Sequence, residues 1–254
     1  EWRKKRGVAD AGKRTIVIET PARFEMNGPS NWEFTTLGDI CKIEGGSQPP
    51  KSTFVYEPRP DYVRLIQIRD YKSDKNIVFI PKALARRFVS KTDIMIGRYG
   101  PPIFQILKGL EGAYNVALMK AVPVQNKMLP DFLYWFLKGP TLLAYVELDS
   151  KRTSGQDGVN KDHLLKFPVP LPALEEQAEI VRRIEAAFDW LDRVVADHAA
   201  AARLLPKLDA AILAKAFLGK LVPQDPNDEP AAKLLARIKA EREAERPEEK
   251  KEQG

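Results

Sequence analysis

A heptad run in the second half of the chain limits its possible folds more than any other feature. Leu174, Val181, Phe188, Val195 and Ala202 recur every seven residues, and Gln177, Ile184, Leu191, His198 and Leu205 recur in parallel three places later. An α-helix turns once in ~3.6 residues, so this spacing keeps a narrow apolar line on one face, the geometry of helix-on-helix contact. The segment from Leu174 to Leu205 predicts a rod of about 47 Å at ~1.5 Å per residue. Leu174, Val181, Ile184, Phe188, Leu191, Val195 and Leu205 are its expected packing residues, against a partner helix in coiled-coil fashion. Packing of the same line against the chain's own domain is the alternative. Pro206 has no N–H and should kink or restart the rod, after which Leu208, Ile212 and Phe217 carry the apolar face to a cap at Gly219.

The region before the rod has a different character. Phe167-Pro168-Val169-Pro170-Leu171-Pro172 alternates prolines, which deny the backbone both helix and central-strand geometry and suggest a stiff junction. Upstream, runs bounded by turn residues suggest strands at Tyr62 to Ile68, Ile77 to Ile80, Ile94 to Arg98, Ile103 to Leu107 and Val116 to Val122. A helical pattern with Phe132, Trp135 and Phe136 on one face follows Pro130 and is interrupted at Gly139-Pro140. The expected class is therefore α+β: a β-rich domain over 31–170, then a helix over 171–221. Residues 1–30, with the basic run Arg3 to Arg6 and only Thr15 to Ile18 strand-like, read as a linker or arm. Residues 222–254, with a short amphipathic piece at Ala231 to Ile238 and a charged run from Glu241 to Glu252, read as a largely disordered tail.

The 254 residues carry a net charge of +6, which favours anionic partners without identifying one. Cys41 is the sole cysteine, so the chain has no internal disulfide framework and no cysteine metal cluster, and a reducing cytoplasm fits. No apolar run is long enough to span a membrane. The chain opens at Glu1 rather than Met, as a fragment or processed form would. Phosphate-loop and dinucleotide-binding glycine patterns are both missing. His163 and His198 stand without partners at metal-ligand spacing, so each reads as a structural residue. Asp61, Asp70 and Lys72 imitate a metal-dependent nuclease, but a strand between the two aspartates would hold them about 30 Å apart, too far for one ion.

What remains is long polar side chains, mixed with aromatics, in expected loops and strand ends. Lys51, Gln67, Arg69, Tyr71, Lys72, Arg98, Tyr99, Lys151, Arg152, Ser154, Gln156 and Lys161 are the candidate DNA contacts, with Asn115 and Asn160 of the same kind. Arginine can grip guanine bidentately and glutamine adenine, while lysines hold phosphates in register. Two clusters stand out. Arg98 and Tyr99 follow a buried strand where it meets Gly100-Pro101-Pro102, and Lys151 to Gly158 form a basic, hydrogen-bonding loop. A helical interaction protein that binds no DNA is the competing reading.

The order of these features resembles the specificity subunits of type I restriction-modification systems, from about Trp32 to Leu221. The resemblance rests on Leu37-Gly38-Asp39-Ile40, on Asp93 to Arg98, on Ser154 to Asn160, and above all on Pro170-Leu171-Pro172-Ala173-Leu174-Glu175-Glu176-Gln177, which opens the family's long helix. Ile180 to Glu185 and Ala214 to Leu221 continue in the same manner. The resemblance implies a non-catalytic module whose full subunit carries two target-recognition domains, each reading half of a split sequence, separated by two antiparallel helices. This chain looks like one such half, the second of a longer subunit or a natural half-subunit that dimerises. The rod would then set half-site spacing, about 13–14 base pairs at ~3.4 Å each. Implied partners are double-stranded DNA, modification subunits and a motor-nuclease restriction subunit. The sequence has no Asn-Pro-Pro-Tyr type motif, so S-adenosylmethionine, ATP and Mg would belong to those partners rather than to this chain.

Overall fold

The computed structural model describes residues 13–18, 24–150, 158–223 and 225–244. Two compact units divide the chain at Ala187 and Phe188.

In the first unit, β1 (Lys13–Ile18) and β2 (Phe24–Pro29) pair antiparallel, so the expected arm contains a hairpin. The domain then opens with β3 (Glu33–Thr36), the one-turn helix α1 (Leu37–Ile40) and β4 (Cys41–Gly45). Next come β5 (Tyr62–Ile66), β6 (Phe79–Pro81), β7 (Phe88–Val89), β8 (Ile94–Gly97), β9 (Gln105–Leu107), β10 (Gly112–Tyr114) and β11 (Leu118–Pro123). The helices α2 (Pro130–Leu137), α3 (Pro140–Ser150) and α4 (Lys161–Leu165) precede β12 (Pro168–Leu171). Two four-stranded sheets result, in the orders β6-β5-β10-β7 and β4-β11-β8-β9. The α+β class expected from the sequence is the one observed.

The proline stretch, expected as a stiff junction, is a paired strand. Pro168 to Leu171 pair antiparallel with Thr36 to Glu33 in a two-stranded ribbon. Side-chain period two puts both prolines on one edge of the strand and leaves Val169 and Leu171 to supply N–H groups on the other, which is how prolines are tolerated outside a central strand. The ribbon closes the domain on its own beginning. Leu37 N–H donates to the Phe167 carbonyl at 2.8 Å, and Leu37, Phe167 and Val169 are fully buried in one core with Ile40, Ile94, Ile96 and Leu133. Leu37-Gly38-Asp39-Ile40 is accordingly a folding device. Its Asp39 carboxylate accepts from Thr36 N and Thr35 Oγ1, both at 3.0 Å, and those bonds, with Thr36's hydroxyl first, hold the carboxyl below its ordinary value.

Cys41 is buried, and burial pushes its thiol up to about 12. Iodoacetamide at pH 8 is expected to leave the native chain unlabelled and to alkylate Cys41 only in denaturant, as intact mass measured before and after would show.

The long helix α5 runs continuously from Leu174 to Phe217, through Pro206. The break expected there does not occur: the carbonyl that Pro206 leaves without a donor, that of Ala202, lies on an exposed stretch where water can bond it. The first turns of α5 belong to the domain. Gln177 and Val181 are buried, Ile180 packs against the core and Leu174 and Ile184 are half-buried, so this part of the heptad line faces the chain's own domain instead of a partner helix.

In the second unit the same line is bare. Phe188, Leu191, Val195 and Leu205 are 48%, 46%, 66% and 60% exposed, values that no core helix would show. Gly219 caps the helix as expected: its φ is +66°, its N–H donates to Ala216 O, and Lys220 N–H donates to Lys215 O. The region read as a tail contains a further helix, α6 (Ala231–Ala244), whose Arg237 pairs with Glu229 at 3.5 Å. Among the described residues, no helix is long and apolar enough to cross a membrane.

Candidate nucleic-acid interface

Backbone register assembles one end of the first unit. β5 and β10 run parallel with Tyr114 opposite Ile66, so both strands finish at the same end of their sheet. Tyr114 N–H donates to Arg87 O at 3.1 Å, which brings in the start of β7. Asn115 N–H donates to Ile66 O at 3.1 Å, beside Gln67. From the second sheet, Arg98 N–H donates to Ala117 O at 2.8 Å, and Val159 N–H donates to Arg98 O at 2.9 Å. Gln67, Arg87, Asn115, Arg98 and the segment entering α4 thus form one rim, although they are spread over almost a hundred residues of sequence. From this rim the hairpin loop between β5 and β6 projects, carrying Arg69, Lys72 and Lys75.

Arg98 is the most firmly held cation of the rim. Its guanidinium lies 5.1 Å from the centroid of the Tyr99 ring, and its Nε is buried. A cleft of about 340 Å³ beside it is lined by Arg98, Tyr99, Asn160, Lys161 and Asp162. Asn160 caps α4 by accepting from Asp162 N at 3.0 Å and His163 N at 3.2 Å, which orients Lys161 outward at the mouth. Arg69, Lys72, Lys75 and Arg86 are exposed, and among the described residues the exposed Arg87 has only a loose pair with Glu44, at 4.0 Å.

The structure treats the sequence-derived candidates unequally. Arg69, Lys72, Arg98, Tyr99 and Lys161 reach the rim or the loop beside it. Lys51 stands exposed in a 3-10 turn on the connection toward Val55, which bridges to Phe79 on the outer edge of the first sheet. Tyr71 is half-buried and packs against the cluster of Ile66, Met95 and Leu118, and burial pushes its hydroxyl up to about 12. Gln67 is half-buried and keeps its amide nitrogen out of contact with solvent. Lys151, Arg152, Ser154 and Gln156 lie outside the described residues.

The nuclease reading fails on Asp70. Its carboxylate is enclosed, accepts from Gln67 N at 3.1 Å and stands 3.9 Å from Arg64, while burial raises its pKa. It shapes the 3-10 turn Ile68–Tyr71, with Asp61 at the other end of β5. His163 also has an ordinary structural role, stacked on Tyr145 with ring centroids 4.0 Å apart. Among the described residues, no group of three His, Cys, Asp or Glu could hold a metal.

Sequence reasoning missed Lys75, Arg86 and Arg87, although a signal existed. Residues 51–91 hold ten Lys and Arg against four Asp and Glu, a surplus of six that equals the net charge of the whole chain. The other residues cancel only in sum, with basic stretches such as Arg3 to Arg6 offset by acidic ones elsewhere, so 51–91 is a strongly basic stretch among several.

The family profile described as type I restriction modification DNA specificity domain matches residues 29–193, which covers the core, the rim and the start of α5. The chain belongs to this family. The EcoBI specificity subunit of Escherichia coli is 31% identical over an alignment of 245 residues that covers 85% of this chain and 49% of that protein. The MjaVIII specificity subunit of Methanocaldococcus jannaschii is 28% identical over 173 residues, 66% of this chain and 39% of that one. The chain spans about half the length or less of the curated relatives it matches. The fold is that of the HsdS subunit from Thermoanaerobacter tengcongensis, with a TM-score of 0.57 at 23% identity over 76% of this chain and 46% of the other. In this specificity-domain chain, the end of the motif Pro170 to Gln177, on which the resemblance rests above all, bonds α5 to the domain: Glu176 Oε2 accepts from Trp32 Nε1 at 3.1 Å, and Gln177 is fully enclosed.

Proposed function

We propose that this chain reads one half of a bipartite DNA sequence for a type I restriction-modification complex and serves as a scaffold for its modification and restriction subunits. The observation that carries this reading is the convergence of Arg69, Arg87, Arg98 and Lys161 at one sheet end, in a chain of the specificity-domain family. Cations in such an array neutralise phosphates and release counterions, while an arginine held in place can address a base edge. The chain itself is non-catalytic. S-adenosylmethionine, ATP and Mg act on the partner subunits, which also supply the reacting groups. The exposed apolar line at Phe188, Leu191, Val195 and Leu205 suits an antiparallel helix from a second half-subunit or a second copy, and the paired rod then sets the distance between half-sites.

The test is methylation sequencing of DNA treated with the complex of this chain and its modification subunits. Modified adenines confined to one recurrent split motif are expected. A complex that modifies DNA without sequence preference, or no complex at all, would overturn the recognition role and leave the helix as a plain association device.

A further inference from the structure

We infer that recognition is divided within the rim: Arg98 reads a base edge, whereas Lys72, Lys75, Arg86 and Arg87 hold phosphates. The inference rests on the DNA-reading role proposed above and assigns its two components to different residues.

The difference lies in how each side chain is held. Both peptide groups of Arg98 are tied down, its N–H to Ala117 O at 2.8 Å and its carbonyl to Val159 N at 2.9 Å. Its guanidinium lies over the Tyr99 ring, and its Nε is enclosed, without a hydrogen-bond partner among the described residues, beside an open cleft. Tyr99 is fixed in turn by Gly158. A Cβ at Gly158 would stand 2.7 Å from Tyr99 Cε1, 2.8 Å from Cδ1 and 3.3 Å from Arg98 O, so glycine is what lets the ring lie against the backbone. Gly158 and Tyr99 are therefore positioning residues for Arg98. A guanidinium immobilised before binding loses little entropy on docking, and its planar pair of donors matches the two acceptors of a guanine edge.

The other four are built differently. Lys72, Lys75 and Arg86 are exposed and have no ion-pair partner among the described residues, and Arg87 has only its loose pair with Glu44. They lie on the hairpin loop after β5 and on the connection entering β7, within a stretch, 51–91, that holds ten Lys and Arg against four Asp and Glu. Mobile charged chains deliver charge without fixing direction, which suits phosphates and carries no sequence information.

Two variants of the chain, each assembled with modification subunits, separate the roles. Arg98→Lys keeps the charge and loses the planar donor pair. Discrimination at one position of the methylated motif is expected to fall about five- to 150-fold, with the salt dependence of DNA binding unchanged. Gly158→Ala should shift the same position in the same direction while leaving the charge untouched. Replacing Lys72, Lys75, Arg86 and Arg87 together by Gln should keep the motif and flatten the slope of log K against log salt by about 3–4, at roughly 0.9 for each phosphate left without its cation. Full discrimination by Arg98→Lys, an altered motif in the fourfold variant, or an unchanged salt slope would each overturn the division. If the parent complex itself shows no sequence preference, it is the DNA-reading role that fails, so the two failures are distinguishable.

Discussion

Gln177→Leu is expected to remove about 3–5 kcal/mol from the stability of the domain, more than any other single side-chain change on the α5 surface. Gln177 is fully buried, and its side chain bonds to backbone of neighbouring segments. Its Nε2 donates to Lys127 O and Pro172 O, both at 2.9 Å, and its Oε1 accepts from Leu129 N at 2.8 Å. Leucine fills nearly the same volume but leaves two carbonyls and one N–H enclosed without partners. Each such orphan costs about 1–3 kcal/mol, which outweighs the gain from burying two further apolar groups. Urea unfolding of the variant against the parent chain measures the loss. A difference below about 1 kcal/mol would show that water reaches these groups, and the staple would then contribute little.

Gln177 also shows where sequence reading stopped. Heptad spacing located α5 and its cap at Gly219, but periodicity reports only that a face is apolar, not what covers it. The first turns met the chain's own domain because Gln177 could satisfy three backbone groups left by the loop around Lys127 and by Pro172. A polar residue in an apolar line was the visible sign of that bond. The β-rich class and the break between α2 and α3 were legible for similar local reasons, turn residues and Pro140. Pro168 to Leu171 misled because proline statistics describe central strands, and a two-stranded ribbon has an edge to spare. The rim was only partly legible. Arg98, Tyr99 and Lys161 carry local signals, at a strand end and beside a helix cap. Arg87 joins them only through the parallel pairing of β5 with β10, a non-local contact with no local sequence signature. Tyr71 shows the opposite difference, since an aromatic beside Asp70 and Lys72 looks like a surface residue but packs half-buried against a core cluster.

Gly46→Ala is expected to cost about 3 kcal/mol and lower Tm by about 6–12 °C, while Gly45→Ala, one residue earlier, should change stability by less than ~0.5 kcal/mol. The contrast comes from what a methyl group would meet. At Gly45 nothing lies within 4 Å. At Gly46 the new Cβ would overlap the Asn115 carbonyl oxygen and stand 2.5 Å from its carbon and 2.9 Å from Tyr114 Cδ2. The first two obstacles are backbone, which cannot rotate aside as a side chain can. The segment is also bonded on both sides, with Gly46 N–H donating to Leu118 O at 3.1 Å and Ser47 N–H to Tyr114 O at 3.2 Å, so relief requires the turn at Asn115 to move. That turn joins the two sheets at the rim. Asn115 bonds Ile66 on one side, and Ala117 bonds Arg98 on the other, so the displacement passes to Arg98 through a single peptide-to-peptide contact. The alanine variant should therefore lose sequence discrimination under conditions where it is still folded, and methylation sequencing well below its lowered Tm would detect this. Equal melting of the two alanine variants would refute the close approach. A destabilised Gly46→Ala with an intact motif would show instead that the rim tolerates movement at Asn115, and that Arg98 is held by Tyr99 and Gly158 alone.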